Sequence, residues 1–158
     1  MSPDWKVIIY RGGLVEFRVP TSWVEEYEED GGATFYDPTP DSDTLRLNVL
    51  TVRSTSPVTP RTPLELLRPR AEQYGVTAEA LPNGNAVMSY TERAEEHGVP
   101  LVIHYWELAN AVPPAHARIA VLSFTVRASE DMRASESLEW LDDEIRALNF
   151  SDELGVAG

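Results

Sequence analysis

Three histidines, His97, His104 and His116, are the side chains of this 158-residue chain best able to hold a metal or move a proton near neutral pH. A zinc centre needs several such ligands converging on one point, and neither an HxH nor an HExxH spacing occurs. His104 falls inside an apolar run and the other two lie in or beside turns, so all three read as ordinary strand and surface histidines. Asp37, Asp41 and Asp43 place three carboxylates in one loop, but the alternating acids, central glycine and distant glutamate of an EF-hand are missing. That loop reads as solvated. The chain has no cysteine, which removes disulfides, thiol nucleophiles and thiolate-bound zinc. No serine stands in a G-x-S-x-G setting, and neither Gly12-Gly13 nor Gly31-Gly32 is followed by the GK[ST] of a phosphate loop. With 26 acids, carboxylate neighbours arise by chance. The residues predict no catalytic centre, no cofactor and no metal.

The net charge of −13 is unevenly spread. Residues 1–44 carry ten acids and three bases, residues 45–127 seven acids and eight arginines, and residues 128–158 nine acids and two arginines. Acidic ends repel phosphate backbones, which are bound by cationic side chains, so nucleic-acid and anionic-membrane partners are not expected. A basic protein partner fits better, and plain solubility explains the same charge. The start, MSPDWKVIIYRGG, lacks the apolar run of a signal peptide, and no apolar run approaches the length of about 20 residues that a membrane helix needs. A cytoplasmic protein is the expectation. Twelve arginines against one lysine, Lys6, suggest a GC-rich bacterial genome.

Strands are expected at about 6–10 and 14–19, joined at Arg11-Gly12-Gly13, where glycines supply the positive φ of a tight hairpin. ATFY (33–36) and TLRLNVLTVRS (44–54) read as the next two. In the latter, Leu45, Leu47 and Val49 alternate before Leu50 and Val52 take the opposite parity, which predicts a bulge or a strand covered on both faces. Thr62-Pro63-Leu64-Glu65 has the form of a capping box with proline at the first helical position, and Gly75 stands ready to end the helix. Pro69 inside that helix predicts a bend or a split. Segments 85–94, 99–109 and 116–127, with short turns between them, predict an antiparallel meander whose apolar residues on both parities demand cover on both faces. A last helix is expected over about 130–148, capped by Ser129, with Ala134, Leu138, Leu141, Ile145 and Leu148 as its apolar stripe. Residues 1–150 read as one domain and 151–158 as a frayed tail.

In this order of elements, VEFRVPTSW (15–23), GGATFYDP (31–38), TLRLNVLTV (44–52) and the closing IRALNF (145–150) resemble the PsbP-like/Mog-like superfamily. The resemblance spans nearly the whole chain, though its motifs are short and structural. It implies an α+β fold: an α/β/α sandwich around a mainly antiparallel sheet of about six to seven strands, with a long C-terminal helix. It implies protein binding rather than chemistry. Its members include a photosystem accessory subunit, a Ran-GTPase-binding factor and bacterial adaptor chaperones for secreted toxins.

Between Arg18 and Arg46 stand eight acids and no base. Trp23 and Tyr27, framed by Glu25, Glu26 and Glu28, could anchor a basic or amphipathic partner segment, as could Trp106. The plainer reading makes Trp23 a plug over a sheet edge and Glu25–Asp30 a solvated loop. The expected function is a non-enzymatic bacterial protein-binding module or adaptor/chaperone, with protein secretion as one setting. The rivals are a small-molecule binder or enzyme with a pocket between sheet and helices, and an immunity-type protein that neutralises a basic toxin. The oligomeric state is open.

Overall fold

The structure, a computed structural model, describes residues 4–39, 43–131 and 134–151. Its frame is a seven-stranded antiparallel sheet. Strands β3 (Val24–Tyr27), β4 (Ala33–Tyr36), β5 (Thr44–Arg53), β6 (Glu79–Ala80), β7 (Ala86–Glu96), β8 (Val99–Val112) and β9 (His116–Arg127) lie in the order β3-β4-β5-β9-β8-β7-β6. The expected meander is β7–β8–β9. Its first turn works because His97 and Gly98 both take positive φ, 51° and 79°, as a two-residue hairpin demands. Strand β5 then joins the free edge of β9 through ten consecutive pairs, from Thr44↔Thr125 to Arg53↔His116. A second, three-stranded sheet has the order β1-β2-β10, with β1 (Trp5–Tyr10), β2 (Val15–Pro20) and β10 (Asn149–Phe150). The fold is α+β.

The pairing register assigns every side chain of the main sheet to one of two faces. Phe35, Leu45, Leu47, Val102, Trp106, Leu108, Ala120, Leu122, Phe124 and Val126 point to the first, where they pack with helix α2 (Ser135–Arg146) and the inward side of the small sheet, Ile8, Tyr10, Val15, Phe17 and Val19. The second carries Ala86, Met88, Tyr90 and Ala109 beneath helix α1 (Thr62–Tyr74), which contributes Leu64, Leu67, Ala71 and Tyr74, and the half-buried Ile119 of β9 packs against that cluster. Helix α1 lies against β7 and β8. One cover is therefore a helix with a small sheet, the other a helix alone.

Several expectations are corrected by local contacts. Glu25–Tyr27 is not loop but strand β3, paired with β4 from Val24↔Tyr36 to Tyr27↔Ala33. Strand β5 has no bulge, since all ten pairs are consecutive; Leu50 and Val52 change parity because they face the second side of the sheet, where they are exposed rather than covered. The capping box at Thr62 does not form. Its hydroxyl instead accepts from the backbone N–H of Thr59 at 2.8 Å and holds the preceding turn. Helix α1 continues unsplit through Pro69, which sits on its exposed side, where the carbonyl that loses its partner can meet water. Gly75 ends the helix in the left-handed conformation, φ 69°, as expected. Ser129 does not cap the last helix: residues 128–130 form a 3-10 turn and α2 starts at Ser135. The stripe from Ala134 to Leu148 is nonetheless in the core. Asp41, and the tail beyond Ser151, lie outside the described residues.

Polar side chains tie the segment after α2 to the sheet. Asn85 Nδ2 donates to the Leu148 carbonyl at 3.0 Å, Asn110 Nδ2 to Asn85 Oδ1 at 2.9 Å, and Arg118 Nη2 to Asn110 Oδ1 at 2.9 Å. The Arg118 guanidinium also lies 5.3 Å from the centre of the Phe150 ring. Leu141, fully buried at the centre of α2, is the residue through which the first cover holds. We expect Leu141→Ala to lower the unfolding free energy by about 2–5 kcal/mol, measured by urea denaturation at unchanged m-value.

Candidate functional site

Trp23 leaves strand β2 through Pro20 and turns inward, because an indole at this corner can close the open end of the first core. It is 7% exposed, stacks on Phe124 (6.3 Å between centres, 5° between planes) and meets the edge of Trp140 at 5.6 Å. Trp106 is 4% exposed, and its Nε1 donates to Asp142 Oδ1 at 3.0 Å, fastening α2 to strand β8. Neither indole offers a ring at the surface; both are spent on the core, and for Trp23 the plug reading describes the packing.

Tyr27, Glu25, Glu26 and Glu28 are exposed. On β3, Tyr27 donates its hydroxyl to Glu25 Oε1 at 2.5 Å and lays its ring edge-on to Phe35. Across the strand, Tyr36 donates to Glu26 Oε1 at 2.6 Å. Lys6 reaches over from β1, bonding the Trp23 carbonyl at 2.6 Å and Glu25 Oε2 at 2.9 Å. The Tyr27 hydrogen bond first, then the bond from Lys6, holds the Glu25 carboxyl below its ordinary range. The hairpin thus engages Glu25 and Glu26 internally and lies along an outer edge of the sheet, where charge discourages pairing with another strand.

A second group of residues, which sequence reasoning passed over, meets on the other face. Glu107 is 1% exposed in the middle of β8. Arg70, from α1, grips it with both arms of its guanidinium, Nε to Oε1 at 2.5 Å and Nη2 to Oε2 at 2.7 Å. Tyr90, on β7, donates its hydroxyl to Oε2 at 2.7 Å. Three tyrosine rings then stand in a row, Tyr74 on Tyr90 at 3.8 Å and Tyr90 on Tyr105 at 5.0 Å. Burial first, then the bond to Glu107, raises the Tyr90 hydroxyl well above an ordinary phenol, and the bond to Glu107 raises the already strong base Arg70 further. A sequence signal existed: Glu107 is the sole acid in the apolar run VPLVIHYWELA, and a charge in a strand covered on both faces needs a partner.

The histidines stay apart. His104 Nε2 lies 2.9 Å from Asp131 Oδ1, at the margin of the first face, while His97 is at the tip of the β7–β8 turn and His116 begins β9. No group of three metal-ligating side chains occurs among the described residues. A hollow of about 620 Å3 runs along α2, lined by Ser135, Glu136, Leu138, Glu139, Trp140, Asp142 and Asp143; its walls all come from one helix, so it is a surface trough and not a space between helix and sheet. Among the described residues no helix is long and apolar enough to cross a membrane.

No protein-family model matches the sequence, and no curated protein matches it. Solved structures do. A crystal structure of a Bacteroides thetaiotaomicron protein superposes with a TM-score of 0.65 at 17% identity, over 97% of this chain and 50% of that one, so this chain spans about half of that protein's length. LpqN of Mycobacterium tuberculosis, described as involved in cell envelope biogenesis, superposes with a TM-score of 0.64 at 12% identity, over 94% of this chain and 91% of its own. The solution structure of cyanobacterial PsbP from Synechocystis reaches a TM-score of only 0.38 at 10% identity, over 94% and 92% of the two chains. The first two likenesses define the fold as one these proteins share.

Two outcomes follow from the Glu107 cluster. Because the folded state holds the Tyr90 proton more tightly than the unfolded chain does, the stability it contributes is complete below the ordinary phenol range near pH 10 and is lost as pH rises above it. Urea midpoints followed from pH 8 to 11 should therefore fall less steeply in Tyr90→Phe than in the parent chain. Arg70→Ala, which leaves Glu107 buried without its ion partner, should cost about 1–3 kcal/mol at neutral pH, less than for a wholly buried pair because Arg70 is half exposed. The double change Arg70→Met with Glu107→Leu should recover most of that loss.

Proposed function

We propose that this protein is a non-enzymatic binding module or adaptor that meets its protein partner on the uncovered half of the main sheet. The observation that carries this reading is the unequal cover of the two faces. Helix α1 stops over β7 and β8, and beyond it Leu50 and Val52 on β5 are 57% and 36% exposed while Ile119 and Val121 on β9 are only half-buried. Four aliphatic side chains on adjoining strands make a continuous apolar strip, which is what a partner segment can bury. The ionised groups brought together nearby, Glu107 and Arg70, are occupied with one another, which favours recognition over catalysis.

A bacterial origin and a cytoplasmic location complete the proposal, with service in secretion or at the envelope as its setting; LpqN, with a related fold, is described as involved in envelope biogenesis. The acidic β3–β4 hairpin is the second reading of the contact surface, favoured by the exposed Tyr27 ring and the unneutralised Glu28, and it would select a basic partner.

Affinity capture from the native host at near-physiological salt, with three baits, separates these readings. The parent chain should retain a stoichiometric partner, Leu50→Asp should lose it, and Glu26→Lys combined with Glu28→Lys should keep it. Loss with the hairpin variant alone would move the contact to the hairpin, and no partner on any bait would refute the binding-module reading.

A further inference from the structure

The row of tyrosines on the second face ends abruptly. Pairing places Tyr90 opposite Tyr105, Tyr105 opposite Ser123, and Ser123 opposite Arg46, so these residues form one line across β7, β8, β9 and β5. Tyr74, Tyr90 and Tyr105 fill the first part of that line with near-parallel rings, 12° and 17° between successive planes. Tyr90 covers one side of Tyr105. On the other side comes Ser123, whose hydroxymethyl is too short to cover a ring, and both remain half-buried rather than closed over. Arg46 stands exposed one strand further, and among the described residues it has no ion-pair or hydrogen-bond partner.

Neighbouring strands are spaced about 4.8 Å apart, so Tyr105 and Arg46 stand roughly 9.6 Å apart at their bases. That gap is filled by one planar ring with a stacking distance of the kind already present on its Tyr105 side and a guanidinium on its other side. The cation would face the negative π-surface of the inserted ring, and Val121 and Thr125, on either side of Ser123 along β9 and on the same face, would bound its edges. A saturated side chain fills such a slot less well, because it has neither a flat face for Tyr105 nor a quadrupole for Arg46.

We propose that this slot over Ser123, between Tyr105 and Arg46, takes an aromatic side chain of the bound protein segment. The inference rests on the binding-module reading and specifies its anchor: the partner presents a Trp, Tyr or Phe that extends the tyrosine row by one member, while neighbouring aliphatic residues cover Leu50, Val52 and Ile119.

The slot can be probed without the partner. N-acetyl-tryptophanamide titrated into the 15N-labelled full chain should shift resonances of Arg46, Tyr105, Val121, Ser123 and Thr125, with a dissociation constant on the order of millimolar, as befits a single ring. N-acetyl-leucinamide should leave them unmoved. Ser123→Leu, which fills the slot, should weaken the probe at least about ten-fold, and Arg46→Ala, at an exposed site where folding is not at stake, should weaken it about three-fold. Shifts scattered elsewhere, equal response to both amides, or binding unaffected by Arg46→Ala would overturn the proposal. The outcomes separate from those of the capture experiment. A probe that binds in the slot while no partner is captured rejects the protein-binding reading and leaves the slot standing. A partner captured equally well by the Ser123→Leu chain, with no probe response, rejects the slot alone.

Discussion

The ladder between Thr44–Arg53 and His116–Arg127 is the constraint on which the molecule depends. It joins the N-terminal strands to the last strand of the meander, some sixty residues further along the chain, and it does so without a bulge, so one register governs both faces of seven strands. A slip of one residue would send Leu45 and Leu47 out of the first core and Asn48 into it. The register also fixes which side chains have no cover: the same alternation that buries Leu122 and Phe124 turns Val121, Ser123, Leu50 and Val52 to the open side.

Much of this was legible in the sequence. Period-two patterning located the hairpin, β4, β5 and the three long strands, and the stripe from Ala134 to Leu148 located the face, though not the start, of α2. What escaped was decided by contacts between distant residues. Glu25–Tyr27 has the acidic composition of a loop, yet becomes a strand because β4 supplies a ladder to pair with. Ser129 has the chemistry of a cap, yet a 3-10 turn comes first. Asn149–Phe150 reads as the end of a helix and instead adds a third strand to β1 and β2, since Val15 and Glu16 leave an edge to pair with.

The candidate site was the least legible part. Trp23 and Trp106 were conspicuous by residue type, and residue type alone does not say where an indole packs; the ring contacts with Phe124 and Trp140 and the bond to Asp142 show that both lie in the core. Glu107 had the opposite problem. It is one letter in an apolar run, and its partners Arg70, Tyr90 and Tyr74 are scattered over two other elements, brought together only by the crossover of α1.

That crossover links the buried cluster to the open face. A carboxylate placed beneath a helix costs desolvation, and an apolar residue of similar size would pack there at least as well, so the cluster is not explained by stability alone. What it does provide is position. The two-armed grip of Arg70 on Glu107 and the stack of Tyr74 on Tyr90 fix α1 over β7 and β8 by directional contacts, where leucines alone would let the helix slide along the sheet. A helix that slid toward β9 would cover Ile119, Val121 and the row beyond Tyr105. By holding α1 to one side, the ionic cluster keeps the apolar half of the sheet uncovered, so a buried pair that contributes little to stability maintains the surface on which the proposed function depends.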